Sequence, residues 1–108
     1  MKHIEITDTV LTDTLAIESD TSVTAPLLVE SGRINVRENA TLTAPLLVES
    51  GGIDVYKNAT LTLPQLVESG EIDVHENATL NLPNLKTYGK ITIEKGGKLI
   101  APLIGYTA

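Results

Sequence analysis

A repeat of 19 residues runs through almost the whole chain. Proline, glycine, asparagine and a pair of aliphatic residues each recur at this interval without insertion. The repeated positions are Pro26, Pro45, Pro64, Pro83 and Pro102, then Gly32, Gly51, Gly70 and Gly89, then Asn39, Asn58 and Asn77. Stepping back from Ile34 and Val36 by the same interval reaches Leu15 and Ile17. The chain therefore holds roughly five and a half units, which predicts a repeat architecture.

The unit itself predicts strands. Apolar and polar residues alternate over short stretches such as residues 61–63 and 72–74, which is the period of a β-strand. A unit of 19 residues also leaves no room for a helix beside a strand. We expect an all-β fold, a single-stranded parallel β-helix (β-solenoid) of about five to six right-handed coils with three short strands each. It forms one domain over 1–108, with an irregular N-terminal coil (1–20), regular repeats (21–97) and a C-terminal edge coil (98–108).

Three corners and three inward columns follow from the repeat. Proline ends one face, the Ser-Gly pair turns the next corner, and the Asn-Ala-Thr segment turns the third, because Asn tolerates the left-handed conformation. The inward columns are Leu42, Leu61, Leu80 and Leu99 with Ala44, Leu63, Leu82 and Ala101; Leu28, Leu47, Leu66, Leu85 and Ile104; and Ile34/Val36, Ile53/Val55, Ile72/Val74 and Ile91/Ile93. The core is aliphatic because Phe and Trp are absent.

Composition narrows the classes of function. The formal net charge is -6, which argues against direct binding of nucleic acid or of an anionic membrane, since both attract basic surfaces. Cysteine is absent, which excludes disulfides, zinc–thiolate sites and cysteine nucleophiles. We expect no cofactor. Because charges and threonines interrupt every apolar run, no signal peptide or membrane span is predicted, and we expect the chain to stay in the cytoplasm.

One stretch of sequence resembles known solenoid families. Residues 82–93 carry a Leu-Pro-x-Leu sequence, a glycine and alternating aliphatic residues, which resembles the coil of receptor-L-type domains. Ile72, Val74 and Asn77 are similar to the strand core of leucine-rich repeats. Leu80 follows Asn77 by three residues, where a leucine-rich repeat has its leucine at two. The resemblance implies a right-handed β-helix and covers architecture alone.

No catalytic constellation emerges from the sequence. His75 occupies the slot that Arg37 and Tyr56 hold in neighbouring coils, which is typical of an exposed corner. The carboxylates Glu49 and Asp54 are close in sequence, but a corner of the coil separates them, so we expect them on different faces. The repeated glycine falls once per coil, and the glycines form no phosphate-binding loop. We predict that the protein is not an enzyme.

Acidic residues form rows in the repeat. Glu30, Glu49 and Glu68 share one slot, and Asp54 and Asp73 share another. Stacking places the members of a row about 4.8 Å apart, where like charges repel by up to about 0.8 kcal/mol per pair in water and less with salt. Such rows imitate a nucleic-acid backbone, whose charges come about every 3.4 Å along each strand. We predict that these five residues bind and inhibit a basic, nucleic-acid-binding protein, a strategy similar to that of anti-CRISPR and anti-restriction proteins.

The acidic rows and the solenoid fold are also compatible with different roles. Repeat duplication copies a solvated glutamate without any function, and calcium bridging also places carboxylates together. A modular adhesin or phage tail-fibre segment that binds a surface glycan is the first alternative function. A self-assembling structural scaffold is the second.

Charge and hydropathy change at the C-terminal end. Residues 1–85 contain four basic and 13 acidic residues, for a net charge of -9, whereas residues 86–108 have a net charge of +3. Lysines there also discourage strand pairing at an open edge. The last coil is apolar, with Leu99, Ile100, Leu103, Ile104 and Tyr106. Because an apolar edge favours association, we predict a homodimer through these five residues.

Overall fold

Thirteen short strands and one 3-10 turn make up residues 2–106, which are the residues that the computed structural model describes. In chain order the strands are β1 (Lys2–Glu5), β2 (Val10–Leu11), β3 (Leu15–Ile17), β4 (Thr21–Thr24), β5 (Glu30–Ser31), β6 (Ile34–Val36), β7 (Thr41–Thr43), β8 (Ile53–Val55), β9 (Thr60–Thr62), β10 (Ile72–Val74), β11 (Thr79–Asn81), β12 (Ile91–Ile93) and β13 (Lys98–Ile100). The 3-10 turn follows at Pro102–Ile104. Over this described range, no helix has the length and apolarity needed to cross a membrane.

Parallel pairing between successive coils builds three faces. The first face is a six-stranded sheet in the order β1-β4-β7-β9-β11-β13, and the second is a five-stranded sheet in the order β12-β10-β8-β6-β3. The third face pairs β2 with β5 and continues as single bridges. Leu42 pairs with Leu61 and Ile53 with Ile72, so the pairing register equals the sequence repeat. The predicted all-β solenoid with three short strands per coil is confirmed, with about five turns.

One corner of each coil adopts a left-handed backbone. Asn39, Asn58 and Asn77 have φ of 61°, 60° and 57°, and Asp20 and Gly96 take the same role in the first and last coils. The N–H of the next residue closes each turn, as when Ala59 donates to the Tyr56 carbonyl at 3.0 Å. A positive φ at the third position of a turn favours Gly or Asn. The predicted role of the repeated asparagines is confirmed.

The core is a stack of identical aliphatic side chains. The predicted inward leucines, alanines, isoleucines and valines of the middle coils are buried, most of them completely. Leu28, Leu47, Leu66 and Leu85 are fully buried, as are Ile53 and Ile72 of the second face. Like side chains lie above one another because the strands pair in register, so a single pattern of packing is repeated along the axis.

The two ends differ from the regular coils. In the first coil Glu5 pairs with Thr24 at the 19-residue step, but Val10 pairs with Glu30, one residue further. This coil lacks the proline turn, so it reaches the third face one residue earlier. At the other end, Ile93 is predicted to face inward but is 38% exposed, because β12 is the terminal strand of its sheet.

Candidate partner-binding face

The three repeated glutamates form a continuous row on the third face. Glu30 bridges to Glu49 and Glu49 bridges to Glu68, each in parallel. All three side chains are exposed. We call Glu30, Glu49 and Glu68 the Glu row. The row ends at Thr87, which bridges to Glu68 in the next coil. The structure therefore brings together the three glutamates that the sequence places in one slot.

A local kink in the backbone turns two successive side chains outward. The N–H groups of Val48 and Glu49 both donate to the Val29 carbonyl, at 2.9 and 3.4 Å, and the pattern repeats one coil later. Because Glu49 still bridges Glu30 at the 19-residue step, the shared carbonyl marks a local bend of the strand without an inserted residue. The next residue, Ser50, is buried and its hydroxyl donates to the Gly51 carbonyl at 3.1 Å. Val29 and Val48 are exposed together with the glutamates that follow them, and Val67 is half-buried beside the exposed Glu68.

Exposed apolar residues lie beside the Glu row. We call Val29, Val48 and the half-buried Val67 the Val row, and Leu27 and Leu46 the Leu pair. Each leucine occupies the tip of the turn that proline begins, where Leu47 donates to the Ala44 carbonyl at 3.2 Å. The Leu pair and the first two valines are between 39% and 49% exposed. Apolar and acidic residues therefore form parallel rows on one side of the solenoid.

Among the described residues, no Lys, Arg or His side chain forms an ion pair with the Glu row. The Arg33–Asp54 ion pair and the two contacts of His75 with carboxylates, which are those found in residues 2–106, lie on the second face, and none includes Glu30, Glu49 or Glu68. Three like charges therefore stack in adjacent coils. A Lys or Arg at this position in alternate coils would have compensated them. The row is therefore a concentrated negative charge at the surface.

Asp54 and Asp73 lie elsewhere. Both belong to the second face, where β8 pairs with β10, and a corner separates them from the Glu row. Asp54 is only 8% exposed, and its Oδ2 accepts a hydrogen bond from Arg33 Nη2 at 2.6 Å. In the amide orientation that satisfies its neighbours, Asn35 also donates to Asp54 Oδ2, at 3.1 Å. Burial, followed by the hydrogen bond and charge of Asp54, raises the pKa of Asp73.

His75 belongs to the same group of side chains. Its Nδ1 lies 3.2 Å from Glu94 Oε2, and its Nε2 lies 3.9 Å from Asp54 Oδ1. Its ring packs against Tyr56 with centroids 4.9 Å apart, and the Arg37 guanidinium lies 5.4 Å from the Tyr56 centroid on the preceding coil. The Tyr56 ring thus has Arg37 as its neighbour in the preceding coil and His75 as its neighbour in the following coil. We call Arg33, Asn35, Arg37, Asp54, Tyr56, Asp73, His75 and Glu94 the polar network.

The 19-residue step does not predict two contacts that Asp54 makes in the polar network. Arg33 and Asp54 are 21 residues apart, and so are Asp54 and His75. A step of one coil plus two residues joins diagonal neighbours on the same sheet face. Opposite charges at that step are the signal that predicts these contacts. Because its charge is compensated by Arg33, Asp54 contributes little free negative charge to a partner.

A shallow cavity of about 410 Å³ lies on the second face near the N-terminal end. Ala16, Ile17, Glu18, Ser19 and Arg37 line it. It opens where the small side chain of Ala16 leaves space in the outward column, and it includes no member of the Glu row. Within residues 2–106, no three metal-ligating side chains come together to hold an ion.

The predicted dimer residues occupy different environments. Leu99 lies in β13 and is buried in the core, and Ile100 is half-buried. After the 3-10 turn the chain folds back, so that Tyr106 and Ala101 exchange hydrogen bonds of 2.7 and 3.0 Å. Ile104 and Tyr106 then pack against the core. Leu103 is the exposed member of the predicted set, at 56%.

No protein-family model, curated protein or solved structure matches this chain. Its function is therefore inferred from the fold and from the surfaces of the solenoid.

Proposed function

We propose that the protein is a non-catalytic interaction protein whose Glu row binds a basic surface of a nucleic-acid-binding protein and inhibits it. Inhibition follows from occupancy, because a partner whose basic surface is covered cannot present it to nucleic acid. The observation that carries the proposal is the Glu row itself, with three exposed carboxylates in adjacent coils.

The contrast between the two faces supports this role. On the second face the carboxylates of Asp54 and Glu94 lie beside Arg33 and His75. On the third face the glutamates repel one another, which costs stability that a structural role does not require. The same chain thus compensates Asp54 with Arg33 and leaves the three glutamates of the Glu row without an ion pair. A binding surface explains the cost, since a basic partner relieves the repulsion.

The coil sequence resembles receptor-L-type domains and leucine-rich repeats. This resemblance supports the solenoid architecture and identifies no ligand. The proposal also narrows the predicted binding residues to the Glu row. Asp54 is compensated by Arg33, and Asp73 is half-buried on the second face, so neither belongs to the exposed Glu row.

A capture experiment tests the proposal. The immobilised protein is incubated with cell lysate at low and high salt, and bound proteins are identified by mass spectrometry. We expect nucleic-acid-binding proteins with basic surfaces to be captured at low salt and released at high salt, because exposed charges are screened. The triple variant Glu30→Gln, Glu49→Gln and Glu68→Gln is expected to lose them.

The matched control separates the row from the net charge. Glu5, Glu18 and Glu76 are exposed glutamates outside the third face, so changing all three to Gln alters the net charge equally. We expect this control to capture the same proteins as the wild type. Equal loss by both variants contradicts the proposal, and so does full capture by the Glu-row variant.

We further propose that two copies associate through the C-terminal coil. Leu103 on the 3-10 turn and Ile93 on the terminal strand β12 are exposed apolar side chains at the same end. Terminal strands carry unpaired backbone groups that favour association with another chain.

A further inference from the structure

We infer that the partner segment is an amphipathic basic α-helix, which lies along the solenoid axis with its cationic side chains on the Glu row and its apolar side chains on the Val row and the Leu pair. This inference rests on the proposed function and adds the shape and chemistry of the partner.

The spacing of the Glu row matches a helix better than an extended strand. Coils are about 4.8 Å apart, so the three carboxylates span about 10 Å along the axis. Helical residues i, i+4 and i+7 lie on one side and span about 10.5 Å, which places one cation opposite each glutamate. Alternate residues of an extended chain are about 6.7 Å apart, so three of them span about 13 Å and lose register with the row.

The width of the surface also suits a helix. Leu27 lies at the corner where the third face begins, three residues before Glu30, so the two are at most about 10 Å apart along the chain. A helix with its side chains is about 10 Å wide. One helix can therefore contact the Leu pair, the Val row and the Glu row together. The apolar side of such a helix explains why exposed leucine and valine flank the Glu row, since a purely electrostatic surface does not need them.

The next coil limits the surface at its C-terminal side. At the fourth step Asn84 occupies the slot of the Leu pair, Lys86 that of the Val row, and Thr87 that of the Glu row. All three side chains are exposed. An apolar and acidic surface thus changes to a polar one with a positive charge, which disfavours a cationic helix beyond that point.

Binding of two synthetic peptides tests the inference. The first is a helical peptide of about 15 residues, four turns long, with lysines at i, i+4 and i+7 and leucines beside them. The second has the same composition in an order that destroys the amphipathic pattern. Affinities are measured by fluorescence anisotropy. We expect the wild type to bind the first peptide at least about tenfold more tightly than the second, which corresponds to about 1.4 kcal/mol.

The variants separate the inference from the function on which it rests. Leu27→Ser, Leu46→Ser and Val48→Ser together are expected to abolish the preference for the amphipathic peptide and to leave the weaker binding of the second peptide. The control changes Ile4, an exposed apolar residue of the first face, to Ser and is expected to keep the preference. Circular dichroism confirms that each variant is folded.

The results that overturn the inference are distinct. Equal affinity for both peptides, or an unchanged preference in the serine variant, overturns the amphipathic helix; the Glu-row proposal survives if its Gln variant weakens both peptides. If that Gln variant binds both peptides as tightly as the wild type, the proposed function fails as well. Self-association of the wild type that the serine variant loses shows an interface between copies and overturns the inference.

Discussion

The left-handed backbone at the Asn corner of each coil has a conformational free-energy cost that substitutions at Asn58 can measure. Asn58 has a φ of 60°, and its N–H donates to the Glu76 carbonyl at 3.2 Å. The Asn58→Ala variant keeps this hydrogen bond, because it uses the backbone, and changes only the cost of the conformation. A left-handed residue with a Cβ costs about 1–2 kcal/mol, and Asn is among the residues that tolerate it best. We expect Asn58→Ala to lose about 1 kcal/mol of unfolding free energy.

Glycine gives the opposite comparison at the same corner. Asn58→Gly removes the steric cost of the left-handed backbone but increases the entropy of the unfolded chain by about 0.5–1 kcal/mol. We expect Asn58→Gly to be more stable than Asn58→Ala and within about 0.5 kcal/mol of the wild type. Because valine is β-branched, Asn58→Val is expected to lose about 2–3 kcal/mol.

Urea unfolding followed by circular dichroism measures these differences. For a domain of this size, a change of 1 kcal/mol also shifts Tm by about 4–8 °C. Lys57→Ala is the control, since Lys57 is exposed in the same turn and its φ is not positive; we expect a change within about 0.5 kcal/mol. If Asn58→Ala is as stable as the wild type and Asn58→Gly is the less stable of the two, the left-handed corner does not explain the repeated asparagine.

Three further predictions concern the core, the polar network and the C-terminal coil. Leu66→Asp places a charge in a fully buried column and is expected to prevent folding, whereas Gln65→Asp on the exposed neighbour leaves the thermal transition within a few degrees. The folded pKa of Asp73 is raised above its ordinary value of 3.8, so its contribution to stability is present at low pH and lost as the pH rises through the folded pKa. Asp73→Asn is therefore expected to gain stability relative to the wild type between about pH 3 and pH 7 in urea titrations, and a constant difference contradicts this. Light scattering at high concentration is expected to show a dimer that Leu103→Arg dissociates; a monomeric wild type contradicts the predicted association.

The fold is predictable from this sequence because parallel, in-register pairing converts a sequence interval directly into a spatial one. Once Pro45 and Pro64 define the step, the stacking of Leu47 on Leu66 and of Glu49 on Glu68 follows. The left-handed corner follows as well, because few residues other than Gly and Asn adopt a positive φ in a turn.

Contacts off the repeat step are not predictable in the same way. Arg33 reaches Asp54 diagonally across the sheet, and this contact depends on side-chain conformation as well as on register. The exposure of Val48 beside Glu49 depends on a local bend in which two N–H groups share one carbonyl. Alternation along a strand predicts opposite directions for these two neighbours, so the local bend must be seen in the structure.

The affinity of a purified partner for three forms of the protein tests the central claim most directly. The partner obtained by capture is titrated at several salt concentrations with the wild type, with the Gln variant of the Glu row, and with the control in which Glu5, Glu18 and Glu76 become Gln. We predict that the Glu-row variant binds at least about tenfold more weakly and with a smaller salt dependence, while the control stays within about twofold. Equal weakening of both variants shows that only the net charge matters and contradicts the account.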